Sequence, residues 1–393
     1  MADDATRRQE LLIEQWLREE EIDNDLIEEC SNDEESDFVE VQQENSDTEE
    51  EASDEDDDDS ANGPHMQGKD GTKWLKHVPE MRGRTRQHNI VFRAPGPKGE
   101  AKQKNSNREC LDLFLDGTVI HCVTEYTNIR IESVRARYAS NRDDKLTDEL
   151  EITGYLGILY LIGTLKSGRQ NVEQIFDTKN GTGIEAVYLT MGVQRFKFLT
   201  RNIRFDDINT RTTRIKEDKL APIRELFEKI VGNFQKNFIP SAEMTLDEQL
   251  IAFRGKCSFR QFIPSKPAKY GIKIFALVDV HFPYTFNLEV YCGVQPEGPF
   301  KVSNEHKEVV MRMTAPIHGS NRNVTSDNWF SSLDVAKELF AKKTTMVGTV
   351  RKDKREVPLQ LRTAKGKPIP SSIFGFHGPC TLVSYIPKKV KLC

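Results

Sequence analysis

Cysteine is scarce and poorly placed in this 393-residue chain. Its seven cysteines (Cys30, Cys110, Cys122, Cys257, Cys292, Cys380 and Cys393) are odd in number and scattered, and no two form a Cys-x-x-Cys pair. That distribution excludes a disulfide framework and a complete zinc site within this sequence. Long apolar runs are missing too. The longest, Ile152 to Leu165, has 14 residues, three of them glycine, short of the roughly 20 that a membrane-spanning helix needs. No membrane partner is therefore expected. The opening residues are acidic rather than basic and apolar, so no secretory leader is expected either. The eight histidines lack ligand spacing, and the Gly-rich GTGIEAV (181–187) lacks the fingerprint and the preceding strand of a nucleotide loop. There are no internal repeats. A soluble, reduced, intracellular protein is what these absences leave.

Basic residues are nearly absent from one segment only. Residues 1–60 hold 27 Asp and Glu against Arg7, Arg8 and Arg18, a net of −24, so residues 61–393, with 53 Lys and Arg against 35 acids, carry +18. An acidic tail on a basic body points to a polyanionic partner for the body, duplex DNA above all. The tail has short apolar groups at Leu11–Ile13, Trp16–Leu17 and Leu26–Ile27, then almost none from Ser31 to Ser60. Such a stretch cannot bury enough surface to offset its ordering entropy, so residues 1–70 are expected to be disordered. Within it Ser46 and Ser53 precede acidic runs, the setting that acid-directed kinases prefer. Residues 71–106, with Arg82, Arg84, Arg86, Arg93, Lys98, Lys102 and Lys104 among Gly and Pro, are expected to form an extended cationic linker.

Apolar periodicity near 3.6 begins at Cys110. It predicts helices over 111–133, 148–165, 193–205 and 220–239, the last with Leu220, Ile223, Leu226, Phe227, Ile230, Val231 and Phe234 on one face. The region 107–240 is thus helical. At Glu243 the period changes to 2. Strands are expected at 243–253, 269–280, 285–294, 323–330 and 344–351, with helices over KEVVMRM and LDVAKELFAKK (333–343). The order β-β-β-α-β-α-β over 241–351 describes a mixed α/β sheet. Residues 352–393 are basic and Pro-rich and are expected to be irregular.

Two acids stand out by position. Asp247 lies inside the first strand of this region and Asp327 near the end of the fourth. If those strands are neighbours, the two carboxylates meet, and only a positive species between them relieves their repulsion; Mg²⁺ or Mn²⁺, with oxygen ligands and retained waters, suits. Between the first and second strands, Arg254, Lys256, Arg260, Lys266, Lys269 and Lys273 alternate with Phe253, Phe259, Phe262 and Tyr270. Cations for phosphates and rings for bases make these six the candidate DNA contacts. Asp279, Asp334 and Asp353 are simpler as strand-edge, helix-start and turn residues.

The segments DEQ-x₃-FRG-x₃-FRQ, KP-x-KYGIK and DNWFSS occur here in one order within MTLDEQLIAFRGKCSFRQFIPSKPAKYGIKIFALVD and HGSNRNVTSDNWFSSLDVAKEL. In them the chain resembles the piggyBac-type transposases and the host proteins derived from them. Weaker likeness reaches back through RFKFLTRNIRFDD to about residue 105. The resemblance implies an RNase H-like core (241–351) behind a helical dimerisation and DNA-binding region, a homodimer, a nuclear location, and Mg²⁺-dependent cutting and joining of DNA at TTAA with three aspartates. Asp247 matches the first of these and Asp327 the second. The third belongs to a Gly-Gly-Val-Asp string, and neither that string nor the family's Cys/His-rich zinc module occurs in these 393 residues; residues 352–393 correspond to the start of an inserted subdomain. The resemblance therefore implies a truncated or domesticated derivative that binds DNA, holds a metal weakly if at all and lacks complete transposase chemistry. An active transposase completed by a carboxylate from further sequence, and a nuclear interaction scaffold, are the alternatives.

Overall fold

The computed structural model of the chain describes residues 40–41, 65–78, 91–137, 144–264, 266–363 and 366–387. Four short strands come first: β1 (Glu40–Val41), β2 (His65–Gln67), β3 (Lys73–Leu75) and β4 (Gly96–Pro97). Helices α1 (Asn107–Asp112), α2 (Gly117–Val134), α3 (Glu149–Thr164), α4 (Val172–Ile175), α5 (Glu185–Thr190), α6 (Val193–Asn202), α7 (Ile208–Arg214) and α8 (Arg224–Asn237) follow. The helix expected over 111–133 is broken at Leu113–Asp116, because Asp116 takes the backbone N–H groups of Thr118 and Val119 and starts α2 as its cap. Ile131, Tyr155, Ile158, Val187, Phe196 and Leu199 form the buried core of this helical part. Among the described residues no helix is long and apolar enough to cross a membrane.

The sheet-forming part contains β5 (Phe238–Ile239), β6 (Glu243–Ala252), β7 (Gln261–Phe262), β8 (Tyr270–Asp279), β9 (Thr285–Val290), α9 (His306–Thr314), β10 (Asn323–Ser326), α10 (Leu333–Ala341) and β11 (Thr345–Gly348). The chain closes with α11 (Leu359–Arg362), β12 (Ser371–His377) and β13 (Cys380–Ile386). The main sheet runs β9-β8-β6-β10-β11, with β7 and then β1 extending the ladder alongside β8. β8 runs antiparallel to both of its neighbours, β6 and β9, whereas β10 and β11 run parallel to β6. Three antiparallel strands and two parallel ones, with the first strand central, are the RNase H-like arrangement. Parallel neighbours need crossovers, which α9 and α10 supply. Their residues Val309, Val310, Met313, Val335 and Leu339 pack with Met244, Leu246, Phe275, Leu277 and Val324 of the sheet.

Both ends of the described chain are more ordered than composition predicts. β2 and β3 belong to a second sheet of order β13-β12-β3-β2, which corrects the expected disorder for residues 65–70 and the expected extended linker for 73–75. Met66 and Trp74 are buried against Leu333, Val357 and Leu361, so the strand owes its order to distant partners rather than to its own pattern. Gly96–Pro97 likewise pairs with Phe238–Ile239. Residues 352–393 are not irregular: β12 and β13 form a seven-pair hairpin across Gly378 at φ 55°. Ser46, Ser53 and Arg82, Arg84 and Arg86 lie outside the described residues.

Candidate active site

β6 alternates Met244 and Leu246, both buried, with Thr245 and the exposed Asp247. On β10, Val324 and Ser326 are buried and Thr325 is exposed. The two strands pair in register, Val324 to Met244 and Ser326 to Leu246, so the next residue on each is an aspartate. Period-2 geometry then sets Asp247 and Asp327 side by side on the face opposite the α9 and α10 core. The strand ends at Ser326 because Asp327 turns its carboxylate onto its own chain. Its Oδ1 accepts hydrogen bonds from the N–H groups of Trp329 (3.0 Å) and Phe330 (3.4 Å). Ser331 Oγ donates to the Asp327 carbonyl at 2.6 Å. Asp247 Oδ1 accepts from the Glu248 N–H at 2.7 Å.

Although Asp327 is exposed as a residue, desolvation where its turn packs on the sheet pushes its carboxyl up from the ordinary value. This outweighs the pull of the two backbone N–H groups, and the nearby charges of Asp247 and Glu248 push the same way. Two hard oxygen donors on neighbouring strands, one with its proton affinity raised, fit a divalent cation such as Mg²⁺ or Mn²⁺ that keeps several waters. Among the described residues no three Asp, Glu, His or Cys side chains converge to hold a metal, so the pair offers two protein ligands. Asp279 is occupied elsewhere, accepting from Ser241 N and Oγ and from the N–H groups of His281 and Phe282. Asp353 pairs with Arg351 at 2.8 Å, and Asp334 lies in the first turn of α10.

The six candidate DNA cations divide in two. Arg254, Lys256 and Lys269 are exposed in the segment joining β6 to β8, beside the exposed rings of Phe253 and Tyr270. Lys273 is not on the surface. It is 4% exposed, its Nζ lies 2.6 Å from Glu248 Oε2, and its assignment as a DNA contact is corrected. The reason is register: Lys273 shares the inward face of β8 with Phe275 and Leu277. Lys266 also turns to Glu248, at 3.4 Å. Arg260 donates to the carbonyls of Arg254 and Gly255 and covers the Tyr270 ring at 5.7 Å, bracing the segment. Sequence reasoning missed Glu248, the partner that takes these two lysines, although Glu248 shares the inward periodicity of Met244 and Leu246. It also missed Gly348, on β11 behind the Asp327 turn, where an added Cβ would collide with Ser331 Oγ. A cleft of about 1020 Å³ lies in the helical part beside Arg108, Lys145, Glu151 and Arg195.

The strand order and the paired acids define an RNase H-like α/β protein with a two-aspartate centre. A family model described as Transposase IS4 matches residues 106–393, and the chain belongs to that family, as a piggyBac-derived protein. PiggyBac transposable element-derived protein 3 of Homo sapiens is 26% identical over 267 residues, 66% of this chain and 42% of that protein. The human Chimeric ERCC6-PGBD3 protein is 26% identical over 267 residues, 24% of its length. A piggyBac transposase determined by cryo-EM as a synaptic complex with hairpin DNA is similar with a TM-score of 0.71 and 35% identity, over 76% of this chain and 62% of that one. This chain thus spans about two fifths of the first human relative and three fifths of the solved transposase chain.

Proposed function

We propose that this chain binds duplex DNA and carries, in Asp247 and Asp327, a two-ligand divalent-cation centre that does not by itself complete cut-and-paste transposition. The observation that carries this reading is the in-register pairing of β6 with β10, which ends both strands' shared ladder at the two aspartates. Phosphoryl transfer by two ions needs carboxylates that bridge and flank them, so that the attacking and leaving oxygens are both stabilised. Two carboxylates hold one ion loosely. A Mg²⁺ or Mn²⁺ bound there would polarise a phosphate oxygen. The residues themselves do the rest: Asp247 and Asp327 supply the oxygen donors, and Arg254, Lys256 and Lys269 meet the phosphates of an approaching duplex. A homodimer and a nuclear location belong to the same reading. So does competition from the −24 tail, strengthened by phosphate on Ser46 and Ser53.

The test pairs binding with cleavage. Duplex affinity should fall with salt, with a log–log slope of about −0.9 per phosphate contacted, and Arg254→Gln, Lys256→Gln and Lys269→Gln should each flatten that slope. Affinity independent of salt would refute DNA binding through these cations. With Mg²⁺ or Mn²⁺ and a transposon-end duplex flanked by TTAA, the chain should leave the DNA intact. Cleavage at the junction that disappears in Asp247→Ala would instead establish a complete active site.

A further inference from the structure

A buried ammonium is costly, and an apolar side chain of similar length in its place is often neutral or better. Lys273 is nonetheless buried within the sheet, directly across from Leu250 on β6. Its Nζ is 2.6 Å from Glu248 Oε2. It also lies 5.3 Å from the ring centroid of Phe275, 5.5 Å from that of Tyr291 and 5.3 Å from that of Trp329, distances at which a cation is attracted to ring faces. Trp329 stacks on Phe275 at 5.5 Å with planes 17° apart, so the indole is fixed by the strand as well as by the ammonium.

Two of these partners have second roles. The backbone N–H of Glu248 donates to Asp247 Oδ1, and that of Trp329 donates to Asp327 Oδ1. Lys273 therefore grips the side chains of the two residues whose backbones hold the two aspartates. We propose that Lys273 is a positioning residue: by tying the Glu248 carboxylate to the Trp329 ring, it sets the separation and orientation of the Asp247 and Asp327 carboxylates. The proposal rests on the two-aspartate centre described above. A group that orients metal ligands typically changes affinity about 10- to 100-fold when lost. A group that only neutralises Glu248 can be removed together with it at no such cost.

The experiment titrates Mn²⁺ into the full chain by electron paramagnetic resonance and follows thermal melting in parallel. Asp327→Asn defines the site. If the wild type binds no Mn²⁺ that this variant loses, the two-aspartate reading falls and the proposal with it. With that site established, the Lys273→Met/Glu248→Gln double variant removes the ion pair without leaving a buried charge. It should melt near the wild-type temperature yet bind Mn²⁺ about tenfold or more weakly. Lys273→Arg, which keeps a cation over the rings, should recover part of the loss. Trp329→Leu, which takes the ring away from the ammonium at a position 37% exposed, should weaken Mn²⁺ binding by more than its change in melting temperature accounts for. Wild-type Mn²⁺ affinity in the double variant, or in Trp329→Leu, would overturn the proposal.

Discussion

Ser326 lies directly across from Leu246 on a parallel neighbour strand, and the residue after each is an aspartate. Both strands place small or apolar side chains on the helix-covered face, and these two aspartates fall on the other. The proposed cation centre is thus a property of register. A one-residue slip of β10 would carry Asp327 to the opposite face and dissolve the pair.

Asp327→Asn should stabilise the metal-free protein at neutral pH. The Asp327 carboxyl is raised in the folded state, so it holds its proton more tightly folded than unfolded. Folding is therefore penalised above the folded value, and the penalty disappears as pH falls below the ordinary Asp value. Melting curves of both proteins should converge at low pH and separate near neutrality, with the variant higher; saturating Mn²⁺ should reverse the order. A variant that melts lower at neutral pH without metal would contradict this.

Gly348→Ala should damage the site from behind. Its Cβ would collide with Ser331 Oγ, which donates to the Asp327 carbonyl. Overpacking of this kind costs about 1–3 kcal/mol. Urea unfolding should show that loss, and Mn²⁺ affinity should fall with it.

Arg195→Ala should destabilise the helical part. The guanidinium is buried, with Nε 2.8 Å from Glu151 Oε1, Nη2 2.5 Å from Oε2 and Nη1 2.8 Å from the Lys145 carbonyl. Burial alone would push the Glu151 carboxyl up, but hydrogen bonds from Arg195 and Thr147 hold it below its ordinary value. This contribution is present above the ordinary Glu range and lost as pH falls through the depressed value. Removing one partner of such a pair costs about 3–5 kcal/mol, read from denaturant midpoints at pH 7, with a smaller difference in acid.

Trp74→Ala should detach the second sheet. Trp74 is 2% exposed, its Nε1 donates to the Glu356 carbonyl at 2.8 Å, and it packs with Met66, Leu333 and Val357. Truncating such a side chain costs about 3–5 kcal/mol. Limited proteolysis should then cut near residues 68–78 and 366–380 before the main sheet.

Much of this was legible in advance. The alternation of EMTLDEQLIA and the change of period at Glu243 locate β6 and the outward position of Asp247, because a half-buried strand writes its two faces directly into the sequence. The helices of 107–240 were legible for the same reason at a period of 3.6. Lys273 was misplaced because charge was weighed before register: in KIFALVD the inward face takes positions 273, 275 and 277, lysine included. β2 and β3 were missed because three-residue strands carry no period, and their order comes from contacts with residues nearly 300 positions away. β12 and β13 had a readable alternation, with Leu382 and Ile386 turned inward and Val383 and Tyr385 outward, masked by the surrounding lysines and prolines.

The most direct measurement is an anomalous difference map from crystals of the full chain soaked in Mn²⁺. The two-aspartate centre predicts one peak within coordination distance of both Asp247 and Asp327, absent in Asp247→Asn. A peak on other residues, or none at these two, would contradict it.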